Sequence, residues 1–380
     1  MSDLIQNYAR LPIEFQSGQG VYLYDTDDKR YLDFTSGIGV CNLGYDNQVL
    51  SECLKKQVDL LWHSPNLYQS SLQEKVASQL SDNHQYKAFF CNSGAEANEA
   101  AIKLVRKHTG KEKIITFNQS FHGRTFASMT ATGQAKIHDG FGSLLSGFHY
   151  VPYNDKQALV EAVDSSTAAI MLEVIQGEGG VIPATREWIE ELQYLCQKYG
   201  CLLVVDEVQT GMGRTGYLYG YQQFDIQPDI VTLAKGLGNG LPVGAMLAKT
   251  SVASSFTPGS HGSTFGGNRL ALSVAKEVIS TISNPLFLNH VQDMGEVAFS
   301  FLSHHLANQS NVLDIRGKGL MIGIELSESV SGIIETLLDK GLAVLQAGPR
   351  VIRLLPPLII TKEELKDGLS ILVEVIQTYK

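Results

Sequence analysis

The 380-residue chain lacks several features, and each absence narrows what it can do. No stretch approaches the roughly 18 consecutive apolar residues of a membrane-spanning helix, so no membrane partner is expected. No block of Lys and Arg is present to neutralise phosphates, and the formal net charge is −9. That argues against a nucleic-acid partner but leaves room for a local basic pocket that takes a small anion. The first residues, MSDLIQNYARLPIEF, show no basic region followed by an apolar core. No signal peptide is therefore expected, and the expected location is cytoplasmic. The five cysteines (Cys41, Cys53, Cys91, Cys196 and Cys201) are scattered without a C-x-x-C pair. They read as reduced, mostly buried thiols, neither a disulfide framework nor a metal site. Repeats, low-complexity tracts and long linkers are missing as well.

What is present is a chain with 44% hydrophobic and 18% charged residues, long enough for a large core and for two domains. From about residue 86 to 250, strand-like runs alternate with helical patterns. The runs are KAFFCNSG, KIITFN, FHYVPY, AAIMLEVI, CLLVVDEV, DIVTLAKG and GAMLAK. Several are continuously apolar, as strands covered on both faces require. Helical stretches such as GAEANEAAIKLVRKHTG and TREWIEELQYLCQKYG separate them and end in Gly110 and Gly200, common helix stops. The expected class is α/β, a mostly parallel seven-stranded sheet with helices on both sides. The large domain is expected over 46–277. A smaller α+β domain is expected from both chain ends, 1–45 and 278–380, because GQGVYLYDTDDKRYLDF reads as a strand pair and VLDIRGKGLMIGIEL as strand, turn, strand.

In open parallel sheets, ligands bind beyond the carboxyl ends of the strands. Four polar residues end apolar runs here: Ser93, Glu173, Asp206 and Lys235. A buried carboxylate and a buried ammonium are each costly unless partnered. Asp206 and Lys235 therefore either pair with each other or face one cofactor. Pyridoxal phosphate needs a lysine for covalent attachment and an acid for its pyridinium nitrogen. Desolvation suits the lysine, because it favours the neutral, nucleophilic amine. CNSGAEANEA offers a strand, a Ser-Gly turn and a helix start that favours an anion. Taken alone, it is an ordinary turn with Ser93 as N-cap. GMGRTG, residues 211–216, matches G-x-G-x-x-G, but no amphipathic helix follows it, so nicotinamide binding remains a distant alternative.

At greater length, LLVVDEVQTGMGRTG, DIVTLAKGLGNGLPVGA and HGSTFGGNRLA resemble the signature of class III pyridoxal-phosphate aminotransferases. The resemblance runs from NYARLPIEF to VIRLLPPLII. NYARLP, NSGAEANEAAIK, FHGRT and IQGEGGV are most similar to the acetylornithine aminotransferase subgroup. The resemblance implies the aspartate-aminotransferase type fold (fold type I) and a homodimer with active sites at the subunit interface. It implies δ-amino transfer between N2-acetyl-L-ornithine and 2-oxoglutarate or glutamate, in arginine biosynthesis. It also implies roles: Lys235 carries the cofactor and Asp206 holds its ring proton. Gln209 bonds the cofactor's 3-hydroxyl oxygen, and Val208 adjoins the cofactor. Gly94 and Ala95 give backbone N–H groups to the phosphate with help from Ser93, and Phe121 stacks on the ring. Thr264 reaches the phosphate of the other subunit, with Ser263 near the substrate. Arg124 clamps a substrate carboxylate, Arg353 is a second carboxylate site masked by Glu178, and Tyr8 lines the entrance. Singly, Phe121 and Tyr8 also read as packing, Glu178 as a loop carboxylate and Arg353 as a surface arginine. The chain departs from the family pattern at Tyr45, Val174 and Arg269. Ile38 stands where ornithine-specific relatives have tyrosine, and it leaves room for an acetylated donor. Ornithine, 4-aminobutyrate and succinylornithine stay open as donors, and a non-catalytic regulator is the rival outside the enzyme class.

Overall fold

The computed structural model describes residues 3–81 and 84–379. Its centre is a seven-stranded sheet. In spatial order the strands are Tyr86–Cys91, Gly244–Lys249, Ile230–Leu233, Leu202–Asp206, Thr167–Leu172, Lys113–Phe117 and Phe148–Val151. Gly244–Lys249 runs antiparallel to both its neighbours, and the remaining pairs are parallel. The strands Thr167–Leu172, Leu202–Asp206 and Ile230–Leu233 are buried along their whole length, which is why they read as unbroken apolar runs.

The helix Gly94–Thr109 shows how local sequence sets an element. Ser93 Oγ accepts from Glu96 N at 3.1 Å, and the Glu96 carboxylate accepts from Asn92 N at 2.7 Å. Both contacts occupy amides at the helix start. The helix stops at Gly110, whose φ of 67° suits glycine. Ala97, Ala100, Ala101, Leu104 and Val105 recur at helical spacing and are buried. The helix Arg186–Tyr199 repeats this logic, with Trp188, Ile189, Leu192 and Leu195 inward and Gly200 as its stop.

A second core joins Val21, Leu32 and Phe34 to side chains between Val291 and Ile376. Around it lie two four-stranded sheets. One holds Phe15–Gln19, Tyr22–Asp25, Arg30–Asp33 and Leu342–Ala343. The other orders Val312–Lys318, Met321–Leu326, Val351–Leu354 and Leu345–Ala347. The helix Pro285–Leu306 packs against Lys362–Thr378 on the same core.

The segment 211–216 lies where the two cores meet. Arg214 is fully buried; it donates to the carbonyls of Leu320 at 3.0 Å and Pro356 at 2.6 Å, and to Asn42 Oδ1 at 2.7 Å. Gly213 and Gly216 both have φ of 84°, and a Cβ on Gly213 would lie 2.6 Å from Ile282 Cγ2. These glycines thus serve backbone turning and close packing around one buried guanidinium. Replacing Arg214 with alanine strands three buried acceptors. We expect Arg214→Ala to lose roughly 3 kcal/mol or more of stability in denaturant titration. A loss below about 1 kcal/mol would mean that water substitutes for the guanidinium.

Candidate active site

Asp206 closes one sheet strand, and Ser93, Glu173 and Lys235 follow the carboxyl ends of three others. A cavity of about 390 Å³ opens there, and all four line it. Gly94, Ala95, Phe121, Arg124, Glu178, Val208 and Gln209 line the same cavity.

Asp206 is nearly inaccessible, yet three donors surround it. His122 Nδ1 lies 2.7 Å and Asn98 Nδ2 2.8 Å from Oδ2, and Val208 N donates to Oδ1 at 3.0 Å. Asn98 is fixed in turn: it donates to His122 O at 2.7 Å and accepts from Thr232 Oγ1 at 2.7 Å. Burial alone would lower the His122 imidazole, but the Asp206 carboxylate outweighs it and raises it. His122 Nε2 is buried and has no hydrogen-bond partner among the described residues.

Lys235 begins a short 3₁₀ turn with φ of 44°, a strained value for a side chain of this kind. Burial pushes its ammonium below the usual lysine range, and Arg353 adds to this, against the pull of Glu178 and Asp206. The amine is therefore easier to deprotonate, the state a nucleophile or base requires.

Arg353 is buried within the strand Val351–Leu354 and is not a surface arginine. Its Nη1 donates to Glu178 Oε1 at 2.7 Å and to Gln209 Oε1 at 3.2 Å. Glu178 sits between the short paired strands Ile175–Gln176 and Ile182–Pro183. Burial would raise its carboxyl, but Arg353 holds it below the ordinary value. Arg124 is exposed at the cavity, its guanidinium carbon 5.6 Å from the Phe121 ring centre.

Arg353 meets the cavity only through Glu178 and Gln209, and three further expected site residues lie elsewhere in this single chain. Ser263 and Thr264 line a neighbouring cavity with Glu96, Glu99 and His261. Asn92, common to both cavities, donates to Ser263 Oγ at 3.3 Å. Tyr8 is 68% exposed and lines neither cavity. The sequence reading missed Asn98 and His122 and gave Glu173 no role. A polar residue on the buried, alanine-rich face of the 94–109 helix was the available signal for Asn98.

The residues present fit pyridoxal phosphate. Gly94 and Ala95 carry first-turn amides that no helical carbonyl can take. A Cβ on Gly94 would lie 2.8 Å from both Val208 methyl groups, so only glycine leaves this cradle open. Asp206 supplies a buried anion for a ring proton, and Lys235 an amine in the same cavity.

Known proteins agree with this chemistry. The family model described as aminotransferase class-III matches residues 5–376. An acetylornithine aminotransferase of Listeria innocua is 53% identical over 377 residues, covering 99% of this chain and 98% of the relative. The N-acetylornithine aminotransferase of Stenotrophomonas maltophilia superposes with a TM-score of 0.86 at 36% identity, over 98% of this chain and 97% of that one. The ornithine aminotransferase of Toxoplasma gondii, in a structure with PLP partially occupying its active site, gives 0.94 at 30% identity over 98% and 92%. On the strength of that match and of the strand-end cavity, the chain belongs to the class III aminotransferases, pyridoxal-phosphate enzymes that move amino groups between amino and keto acids.

Proposed function

We propose that this enzyme transfers the δ-amino group between N2-acetyl-L-ornithine and 2-oxoglutarate or glutamate, as a step of arginine biosynthesis. The observation that carries the reading is the Arg353–Glu178 pair at 2.7 Å, in which Glu178 lines the cavity holding Lys235 and Asp206 and Arg353 lies buried behind it. Acetylornithine reacts at a carbon without a carboxylate, and glutamate at a carbon that bears one. An arginine that is neutralised for the first donor and free for the second serves both. Relatives named acetylornithine aminotransferase support the choice of donor.

Bound pyridoxal phosphate supplies an electron sink for the carbon that loses its proton. The residues that would hold it are Lys235, Asp206 at the ring nitrogen, and Gln209 at the 3-hydroxyl oxygen. Ser93, Gly94 and Ala95 would take the phosphate, with Phe121 and Val208 against the ring. Lys235 takes the proton from the amine-bearing carbon and returns it, as a lysine depressed by burial can. Arg124 grips the α-carboxylate of acetylornithine and the distal carboxylate of glutamate through its two-pronged guanidinium. Tyr8 lines the outer entrance.

The same reading makes the enzyme a cytoplasmic homodimer. Ser263 and Thr264 then complete the partner's site, Thr264 at its phosphate. Supporting this, Leu60, Trp62, Leu67, Tyr68 and Phe265 are large apolar side chains left exposed in the single chain. No described helix is long and apolar enough to cross a membrane. We also read 46–277 as the large domain and 1–45 with 278–380 as the small one. Residues 1, 2, 82, 83 and 380 of that division lie outside the described residues.

Steady-state rates with 2-oxoglutarate should favour N-acetylornithine over ornithine, 4-aminobutyrate and succinylornithine. A better rate with any of the three reassigns the donor. Borohydride reduction of the holoenzyme followed by peptide mapping should place the pyridoxyl group on Lys235, and a label on another lysine removes the mechanism. Arg124→Lys keeps the charge but not the fork, so both substrates should lose affinity by roughly tenfold or more. An effect on one substrate alone means they do not share Arg124. Glu178→Ala unmasks Arg353. Single-turnover rates followed by cofactor absorbance should keep or improve the glutamate half-reaction and weaken the acetylornithine half-reaction relative to it. Equal losses would make Glu178 a structural residue.

A further inference from the structure

The hairpin that carries Glu178 is tied down on both sides of it. Upstream, Gly177 N donates to Glu173 Oε2 at 3.1 Å. Downstream, Arg316 donates to the carbonyls of Gly180 at 2.7 Å and Val181 at 3.1 Å. Gly177 packs closely on Gln209, whose side-chain amide a Cβ there would meet at 2.5 Å. The other Glu173 oxygen, Oε1, accepts from Phe121 N at 3.0 Å. One carboxylate thus joins two cavity walls, the Phe121–Arg124 segment and the Glu178 hairpin. Glu173 itself is anchored by its place directly after the strand Thr167–Leu172 and by Tyr153, whose hydroxyl donates to Glu173 O at 2.7 Å.

We propose that Glu173 is a positioning residue that pins both walls to the strand end, so that Glu178 leaves Arg353 by turning its side chain on a fixed hairpin. The inference rests on the Glu178–Arg353 reading above. A swinging loop would carry Phe121 and the cavity wall with it. A rotating side chain changes the charge facing the substrate and leaves the ring-contacting wall in place.

Charged and titratable neighbours face Glu173 from each packed element: His122, Asp206 at the end of the adjacent strand, Lys235 and Tyr153. Burial lifts its carboxyl to about 7; His122 opposes this, Asp206 adds to it, and the two amide donors oppose it. Because the native value is raised, the carboxyl is protonated below about 7 and ionised above it. The ionised form accepts both amides. The protonated form turns one oxygen into a donor facing an N–H group, so one pin weakens as pH falls through that range.

Hydrogen–deuterium exchange of the holoenzyme, corrected for intrinsic exchange, tests this in peptides spanning 118–123 and 175–180. For wild type we expect protection in at least one of them to fall about tenfold from pH 8 to pH 6, the scale of one lost hydrogen bond to a charged group. Glu173→Gln, which offers one acceptor, should show that low protection at both pH values. Glu173→Asp, too short to span both amides, should lose protection in one peptide and serves if the glutamine variant fails to fold. Wild-type protection at pH 8 in both peptides of either variant overturns the proposal. Glu178→Ala leaves both pins in place and should keep wild-type exchange. If its two half-reactions fall equally while the Glu173 variants lose protection, the switch reading fails and the pinning stands.

Discussion

A carboxylate buried at the end of a core strand dictates how the rest of the site is built. Asp206 is 3% exposed, and an unpaired charge at such depth costs several kcal/mol. The fold meets that cost with three donors from three places: His122, Asn98 and the backbone of Val208. Each donor constrains its own element. Asn98 fixes the rotation of the helix Gly94–Thr109, so the first turn of that helix opens into the cavity. His122 fixes the segment that carries Phe121 and Arg124. Thr232, through Asn98, links the strand that leads to Lys235. The anion cradle, the wall and the amine thus inherit their positions from one buried charge.

The second determinant is the meeting of the two cores. Arg214 reaches from beside the large sheet to Asn42, Leu320 and Pro356, while Arg353 reaches the other way, to Glu178 and Gln209. Arg214 spends its donors on carbonyls and an amide, which are acceptors that do not titrate. Arg353 spends one on a titratable carboxylate that is 32% exposed in its side chain and lines the cavity. The first contact suits permanence and the second suits exchange. The chemistry of the acceptor, more than burial, separates the structural arginine from the one we read as functional.

Much of the architecture was legible because it rests on periodicity and end signals. Strand-like runs, several of them continuously apolar, gave the seven strands, glycines at 110 and 200 ended helices, and polar residues closing strands pointed to one sheet edge. Ser93 shows that the bland and functional readings can both describe one residue: it caps its helix and also lines the cavity. Contacts across long sequence separation were not legible. Nothing local to Glu173 says that its oxygens meet amides 52 and 4 residues away. Arg353 looked like a strand-end residue because one sequence does not reveal which surface later covers a strand. GMGRTG shows the converse case, a familiar spacing whose glycines serve packing around Arg214 rather than a pyrophosphate.

Backbone conformation was the least legible level, and it explains one departure from the family pattern. Ser36, Gly37, Ile38 and Gly39 all have positive φ, from 47° to 73°, forming a left-handed turn. Such a conformation costs about 1–2 kcal/mol per residue with a side chain, and Ile38 is a poor candidate for it by propensity alone. The turn persists because its flanks are over-determined. Asp33 accepts from Thr35 N at 2.7 Å, and Ser36 Oγ donates to Leu355 O at 2.5 Å. Tyr45 donates its hydroxyl to the second oxygen of Asp33 at 2.6 Å. The unusual Tyr45 is therefore part of the frame that holds a strained turn, and Val40, just beyond that turn, lines the cavity. Strain at the mouth of the site is carried by hydrogen bonds behind it, and a residue far from the chemistry is constrained by the shape the chemistry needs.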